Sequence, residues 1–253
     1  MTAALQRPAA EAPPAPGEAV EIAEGVLWAR LPLPMAGLDH VNLYALAETD
    51  GWTLVDTGLD WPGGRAALAA LRAGPLGGRR VIRAILTHHH PDHIGLAGAL
   101  AEEGAEILAT HLGWTLGRML ALDPQERPTP EQVCFRRRAG VSGAALETYA
   151  AARPFNFADC VAPIPLGFRA IGEGGRLRAG GRDWTVRLGE GHAPEHVTLW
   201  SDDGLLIAGD QVLPGISPNI GVYPTEPEAD PLAGWLATCR RFAALGADPL
   251  VLP

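Results

Sequence analysis

ILTHHHPDHIGL (residues 85–96) sets four histidines and an aspartate between two apolar runs. To its left "RRVIRAILT" (79–87) reads as a buried strand. To its right "DHIGLAGALAEEG" (92–104) reads as a helix, with Asp92 as N-cap and Gly104 as stop. His88, His89, His90, Asp92 and His93 therefore fall where a strand ends and a helix begins, the position at which α/β proteins place their chemistry. Side chains of an extended segment alternate, so His88 and His90 share one side and His89 takes the other. Asp92 and His93 follow where the chain turns, beside that pair. The pattern His-x-His-x-Asp-His thus offers ligands to two adjacent metals.

A catalytic zinc site needs three protein ligands and a water, a structural one four protein ligands. The remaining candidates are His192 in "GEGHAPEH" (189–196), His196 four residues on, and Asp210 in "IAGDQV" (207–212). His192 sits in a glycine-flanked loop between two strands. Asp210 ends an apolar strand, where a carboxylate needs a cation or hydrogen-bond donors to offset its burial.

Working outward, "GVLWARLPL" (25–33), "HVNLYALAE" (40–48) and "GWTLVDTG" (51–58) read as an antiparallel opening meander, and "PGGRAALAALRAG" (62–74) as a helix between a proline and a glycine. Residues 111–153 read as helices joined by the proline-rich "DPQERPTP" (123–130), a helical insertion beside the site. Strands resume over 168–191 and 196–210, a helix covers 231–246, and "LVLP" (250–253) is one more strand. The two β-rich stretches, each flanked by helices, predict an α/β (α+β) sandwich with its site along one edge. Residues 1–19, rich in Ala and Pro, are expected to be a disordered tail, and 20–253 one domain.

The chain is 47% hydrophobic and 19% charged, enough for a sizeable core, and no apolar run approaches the ~18 residues of a membrane span. Without a signal-peptide pattern the expected location is cytoplasmic. Cys134, Cys160 and Cys239 lack a Cys-x-x-Cys pair and read as reduced buried thiols. A net charge of −9 argues against a nucleic-acid partner, and Arg136, Arg137 and Arg138 read as a solvated helix face.

The cluster, the Gly-His loop and the strand-ending aspartate together resemble the metallo-β-lactamase superfamily, as does "LVDTG" (54–58), which matches its first motif. The resemblance runs from about residue 20 onward and implies the αββα sandwich. It also implies that His88, His90 and His192 bind one metal, that Asp92 and His93 bind a second, and that Asp210 bridges them. Asp56 is then a candidate to support a ligand. The downstream loop looks most like glyoxalase II and related hydrolases. Two zinc ions per chain are expected, with iron or manganese as alternatives. The implied activity is hydrolysis of a small-molecule ester, thioester or related carbonyl compound, with Asp92 orienting the nucleophile.

The family usually supplies a further histidine from a Pro-x-His turn after a strand like "LVLP". This sequence stops at Pro253, and His40, His111 and His196 are the conceivable substitutes. Alternatives to the hydrolase are a one-iron oxygenase resembling the persulfide dioxygenases, using His88, His192 and Asp210, a ribonuclease of the same fold, and a metal-stabilised non-enzyme. His40, Asn42, Asn219 and Tyr223 are candidate substrate contacts, read as lying in polar loops that leave strands. His89 is expected to be a bystander.

Overall fold

A computed structural model describes residues 12–246 and 248–253. Residues 1–11, most of the expected tail, lie outside the described part. The last residue of that tail, Ala19, already belongs to a strand: β1 (Ala19–Ala23) pairs antiparallel with β2 (Val26–Met35) as a half-exposed edge. Such an edge buries too little apolar surface to stand out in sequence.

β2, β3 (Leu38–Ala47) and β4 (Trp52–Val55) form the expected antiparallel meander. β5 (Val81–Ile85), β6 (Glu106–Ala109) and the two-residue β7 (Arg169–Ala170) then extend the sheet in parallel, in the order β1 to β7. β6 escaped the sequence reading because four residues show no period. The second sheet runs β12 (Leu250–Leu252), β11 (Leu205–Ile207), β10 (His196–Ser201), β9 (Arg182–Gly189), β8 (Arg176–Ala179), with β11 and β12 parallel.

Period-two alternation gives the first sheet two faces. Ala29, Leu31, Leu43 and Leu54 meet the helical layer through Leu68, Leu71, Leu100 and Trp114. On the other face Val26, Tyr44, Leu46, Val55 and Ile85 meet Trp184, Val186, Val197, Leu199 and Ile207 of the second sheet. The helices of the first layer are α1 (Pro62–Ala73), α2 (Pro91–Ile94), α3 (Ala97–Glu102) and α4 (His111–Leu122). α7 (Pro231–Ala243) lies on the second sheet, with Phe242 edge-on to Trp200 and Thr238 accepting from the Glu190 amide. The result is the predicted αββα sandwich.

Within residues 111–153 the chain forms α4, α5 (Pro130–Arg138) and α6 (Gly143–Ala151). α4 buries Gly113, Trp114 and Gly117, whereas α5 and α6 bury no residue. α5 starts at a reciprocal cap between Thr129 and Gln132. No described helix is long and apolar enough to cross a membrane. The cysteines are free, but Cys134 is exposed and Cys160 and Cys239 are only partly covered, which corrects the expectation of buried thiols.

The helix expected over 92–104 is two helices, and Asp92 is not its N-cap. His90 occupies the cap position of α2, Asp92 lies inside its first turn, and the helix breaks at Gly95 and Leu96. The break has a tertiary cause. The Leu96 amide bonds to the Gly58 carbonyl and to Thr57 Oγ1, and the Gly95 carbonyl accepts from Ala162.

Candidate metal centre

β4 and β5 lie side by side and parallel, with Val55 opposite Ile85, so Asp56 and the His88 loop leave the sheet at the same end. Asp56 turns into the left-handed region (φ 64°), a conformation that costs a non-glycine residue of order 1–3 kcal/mol. Its carboxylate accounts for that cost. One oxygen accepts from the Thr87 amide at 2.8 Å; the other accepts from Thr87 Oγ1 at 2.8 Å and lies 2.7 Å from His93 Nδ1. Thr57 continues the clamp, its amide and hydroxyl both donating to the His93 carbonyl at 2.8 Å. The strand-ending "DTG" thus fixes both the ring and the backbone of His93.

These bonds decide the tautomers. The Thr87 hydroxyl hydrogen is committed to Asp56, so His88 Nδ1, 3.0 Å from Thr87 Oγ1, must be the donor there. His192 Nδ1 lies 2.9 Å from the Asn219 carbonyl oxygen and must donate to it. Both histidines are left with a lone pair on Nε2, and the two Nε2 atoms lie only 3.2 Å apart. Two lone pairs at that distance repel unless a cation lies beside both. A shared proton is disfavoured: burial, then the neighbouring histidines, hold His88 well below its ordinary pKa, and burial lowers His192. His90, its ring 4.6 Å from those of His88 and His192, is pushed down to about 2, chiefly by burial. The three offer ligand atoms within 4.8 Å of one another, the arrangement expected of metal donors.

Asp210 stands between this triad and His93. Its Oδ2 is 3.4 Å from His192 Nε2 and 3.6 Å from His93 Nε2. His93 Nε2 is buried with no hydrogen-bond partner and also lies 3.5 Å from Asp92 Oδ2. Burial opposes a charge on His93, but Asp56, Asp92 and Asp210 outweigh it and raise its pKa well above the usual value. Burial likewise opposes ionisation of Asp210, and His93 overcomes it to keep Asp210 anionic. An orphaned nitrogen between two carboxylates is a place for a cation, and His88, His93 and Asp210 also bring ligand atoms within 4.8 Å. The residues present therefore fit a metal ion, in two overlapping groups of donors that share His88. Asp92 stands outside both tight groups and joins through His93.

The structure separates the other candidates. His89 belongs to neither group of converging donors, although its ring centroid lies 4.7 Å from that of His90; on its other side it faces Phe157 at 6.4 Å. His196 lies flat against His88 at 4.6 Å, a packing contact, with its Nε2 beside Gly209. His111 packs on Phe168 and His40 contacts Arg30 and Asp39, so of the three conceivable substitutes only His196 touches the cluster. His40 and Asn42 are not in a loop but inside β3, because their segment continues the hairpin with β2. Asn42 accepts from Trp28 Nε1 and donates to the Pro253 carbonyl. Asn219 acts through its backbone, its amide side chain lying 3.4 Å from the exposed Tyr223 hydroxyl. Thr57 and Thr87 were not anticipated, although each adjoins a candidate, and hydroxyls amid apolar strand ends were the available signal.

Comparison with known proteins agrees with this arrangement. The chain is 37% identical to a beta-lactamase domain protein from Burkholderia ambifaria, whose crystal structure superposes with a TM-score of 0.85 over 97% of this chain and 71% of that one. A metallo-beta-lactamase family protein from Thermus thermophilus is 29% identical, with a TM-score of 0.73 over 90% of this chain and 72% of its own. The probable metallo-hydrolase YqjP of Bacillus subtilis (strain 168) is 27% identical over 234 residues, 90% of this chain and 70% of that protein. With the family model of the metallo-beta-lactamase superfamily matching residues 36–253, across both sheets and every clustered donor, the chain belongs to that superfamily of metal-dependent hydrolases.

Proposed function

We propose that the chain is a two-metal hydrolase acting on an ester, thioester or related carbonyl group of a small molecule, with specificity in the manner of glyoxalase II. The observation that carries this reading is the position of Asp210, whose Oδ2 lies within 3.4 Å and 3.6 Å of donors from the two halves of the cluster. A carboxylate shared in this way suits paired ions. Metal bound by these donors supplies Lewis acidity, which polarises a carbonyl oxygen and makes water a nucleophile near neutral pH.

The chain's own residues supply the rest. His88, His90 and His192 present neutral nitrogens, with His88 held by Thr87 and His192 by the Asn219 carbonyl. Asp56 keeps His93 Nε2 turned inward. Asp92, its Oδ2 3.5 Å from His93 Nε2, would orient the attacking water and accept its proton.

Metal analysis combined with a turnover screen over thioesters, lactones and simple esters tests the reading. Two zinc ions per chain, or two manganese or iron ions, together with hydrolysis support it. One iron per chain with oxygen consumption on a persulfide would assign the site to His88, His192 and Asp210 as an oxygenase. Cleavage of RNA would make the chain a ribonuclease, against which its net charge of −9 weighs. Negligible metal with no turnover would sink every enzymatic reading.

A further inference from the structure

Arg30 of β2 pairs with Asn42 of β3, two positions beyond the pairing of Trp28 with Tyr44. Trp28 and Tyr44 pack on the inter-sheet core, whereas Ala29, Leu31 and Leu43 pack on the helical side. Alternation therefore puts Arg30 on the inter-sheet face. Tyr44 is opposite Val55, and Val55 is opposite Ile85. A two-residue step of about 6.7 Å from Tyr44 to Asn42 runs toward the level of Thr57 and Thr87, where the metal cluster begins. Arg30 thus stands on the wall of the sandwich at the catalytic end, one strand out from Asn42.

Its guanidinium is poorly matched there. Nε is buried and has no partner among the described residues. Nη2 donates to His40 Nδ1, yet Asp39 Oδ1 lies 2.5 Å from that same nitrogen. His40 Nδ1 cannot accept from Arg30 and donate to Asp39 at once, so it holds Arg30 only while the exposed Asp39 carboxylate is left to solvent. Asn42 cannot relieve this, because its carbonyl and amide are taken by Trp28 and Pro253. An incoming oxyanion would give Arg30 the forked acceptor a guanidinium fits and release His40 to Asp39.

We infer that Arg30 binds a carboxylate carried by the substrate away from its scissile carbonyl, so that the preferred substrates are anionic esters or thioesters. This rests on the hydrolase reading above and names its substrate class.

The test compares monophenyl succinate with phenyl butyrate on the metal-loaded chain, for wild type, Arg30→Gln and Arg30→Lys, with metal content and circular dichroism as checks on folding. The expected result is a preference of about tenfold or more for the succinate, expressed in KM, abolished in Arg30→Gln and partly kept in Arg30→Lys. Equal kcat/KM for the two esters, or a preference that survives Arg30→Gln, overturns the inference and leaves the hydrolase reading standing. If neither ester turns over, calorimetry with succinate and succinamide decides. Succinate binding that is lost in Arg30→Gln supports the inference, and identical binding by both proteins overturns it.

Discussion

Asp56 Oδ2 lies 2.7 Å from His93 Nδ1, joining two segments 37 residues apart through a bond with both partners buried. The same carboxylate takes both the amide and the hydroxyl of Thr87, so it orders His93 directly and His88 through Thr87. Asp56→Asn keeps the shape, but its amide nitrogen cannot accept the bonds that the carboxylate oxygen accepts. Metal affinity at the His93 position is expected to fall roughly 10- to 100-fold, the usual effect of losing such a support. Titration with a competing chelator measures it; unchanged affinity would remove Asp56 from the site.

His89→Ala is expected to leave metal content unchanged, because its nitrogens join neither group of converging donors even though its ring lies beside that of His90. His192→Ala removes a nitrogen facing both His88 and Asp210 and should cost at least one metal equivalent. Elemental analysis of the two variants side by side separates bystander from donor.

Asn219→Ala should preserve metal binding, since the carbonyl that accepts from His192 belongs to the backbone. A loss of metal in this variant would mean that the side chain holds the loop in place.

Gly95→Ala should destabilise the fold by about 1–3 kcal/mol, the range for overpacking a close contact. A Cβ at this position would meet the Pro91 carbonyl at 2.4 Å, the Gly58 carbonyl at 2.5 Å and the Asp60 amide at 2.7 Å, all backbone atoms. Denaturant melts of variant and wild type check it.

The metal-free chain should lose stability in mild acid. Burial holds His88 and His192 below their ordinary pKa and pushes His89 to about 4, His90 to about 2 and His196 to about 3, so the unfolded chain binds protons that these folded rings refuse. Their contribution is therefore complete above about pH 6.5 and is lost as pH falls toward the folded values. His93 works in the opposite sense. Its raised pKa contributes stability below about pH 6.5, lost only as pH rises through the folded value. Five depressed groups outweigh one, so the midpoint of urea unfolding should drop between pH 6.5 and pH 4. Metal binding at His93 should also release a proton, measurable as buffer-dependent heat. A midpoint flat with pH would contradict burial holding these five rings neutral.

Much of this protein was legible in the order of its residues. Apolar period, glycine and proline placement and the His-x-His-x-Asp-His spacing are local properties, and they settled the strands β2 to β5, the helix α1 and the strand-to-helix site between residues 85 and 96. Contacts between distant segments carry no such local mark. Only the folded chain broke the 92–104 helix at Gly95, where Gly58, Thr57 and Ala162 take the backbone groups a continuous helix would have used. Tertiary structure alone likewise turned His196 into a stacking partner of His88 and set Asp210 between His192 and His93. Residue type and spacing determined which groups were available for metal chemistry; the packing of two sheets determined which of their lone pairs face one another, because that depends on hydrogen bonds closed across 27 to 37 residues.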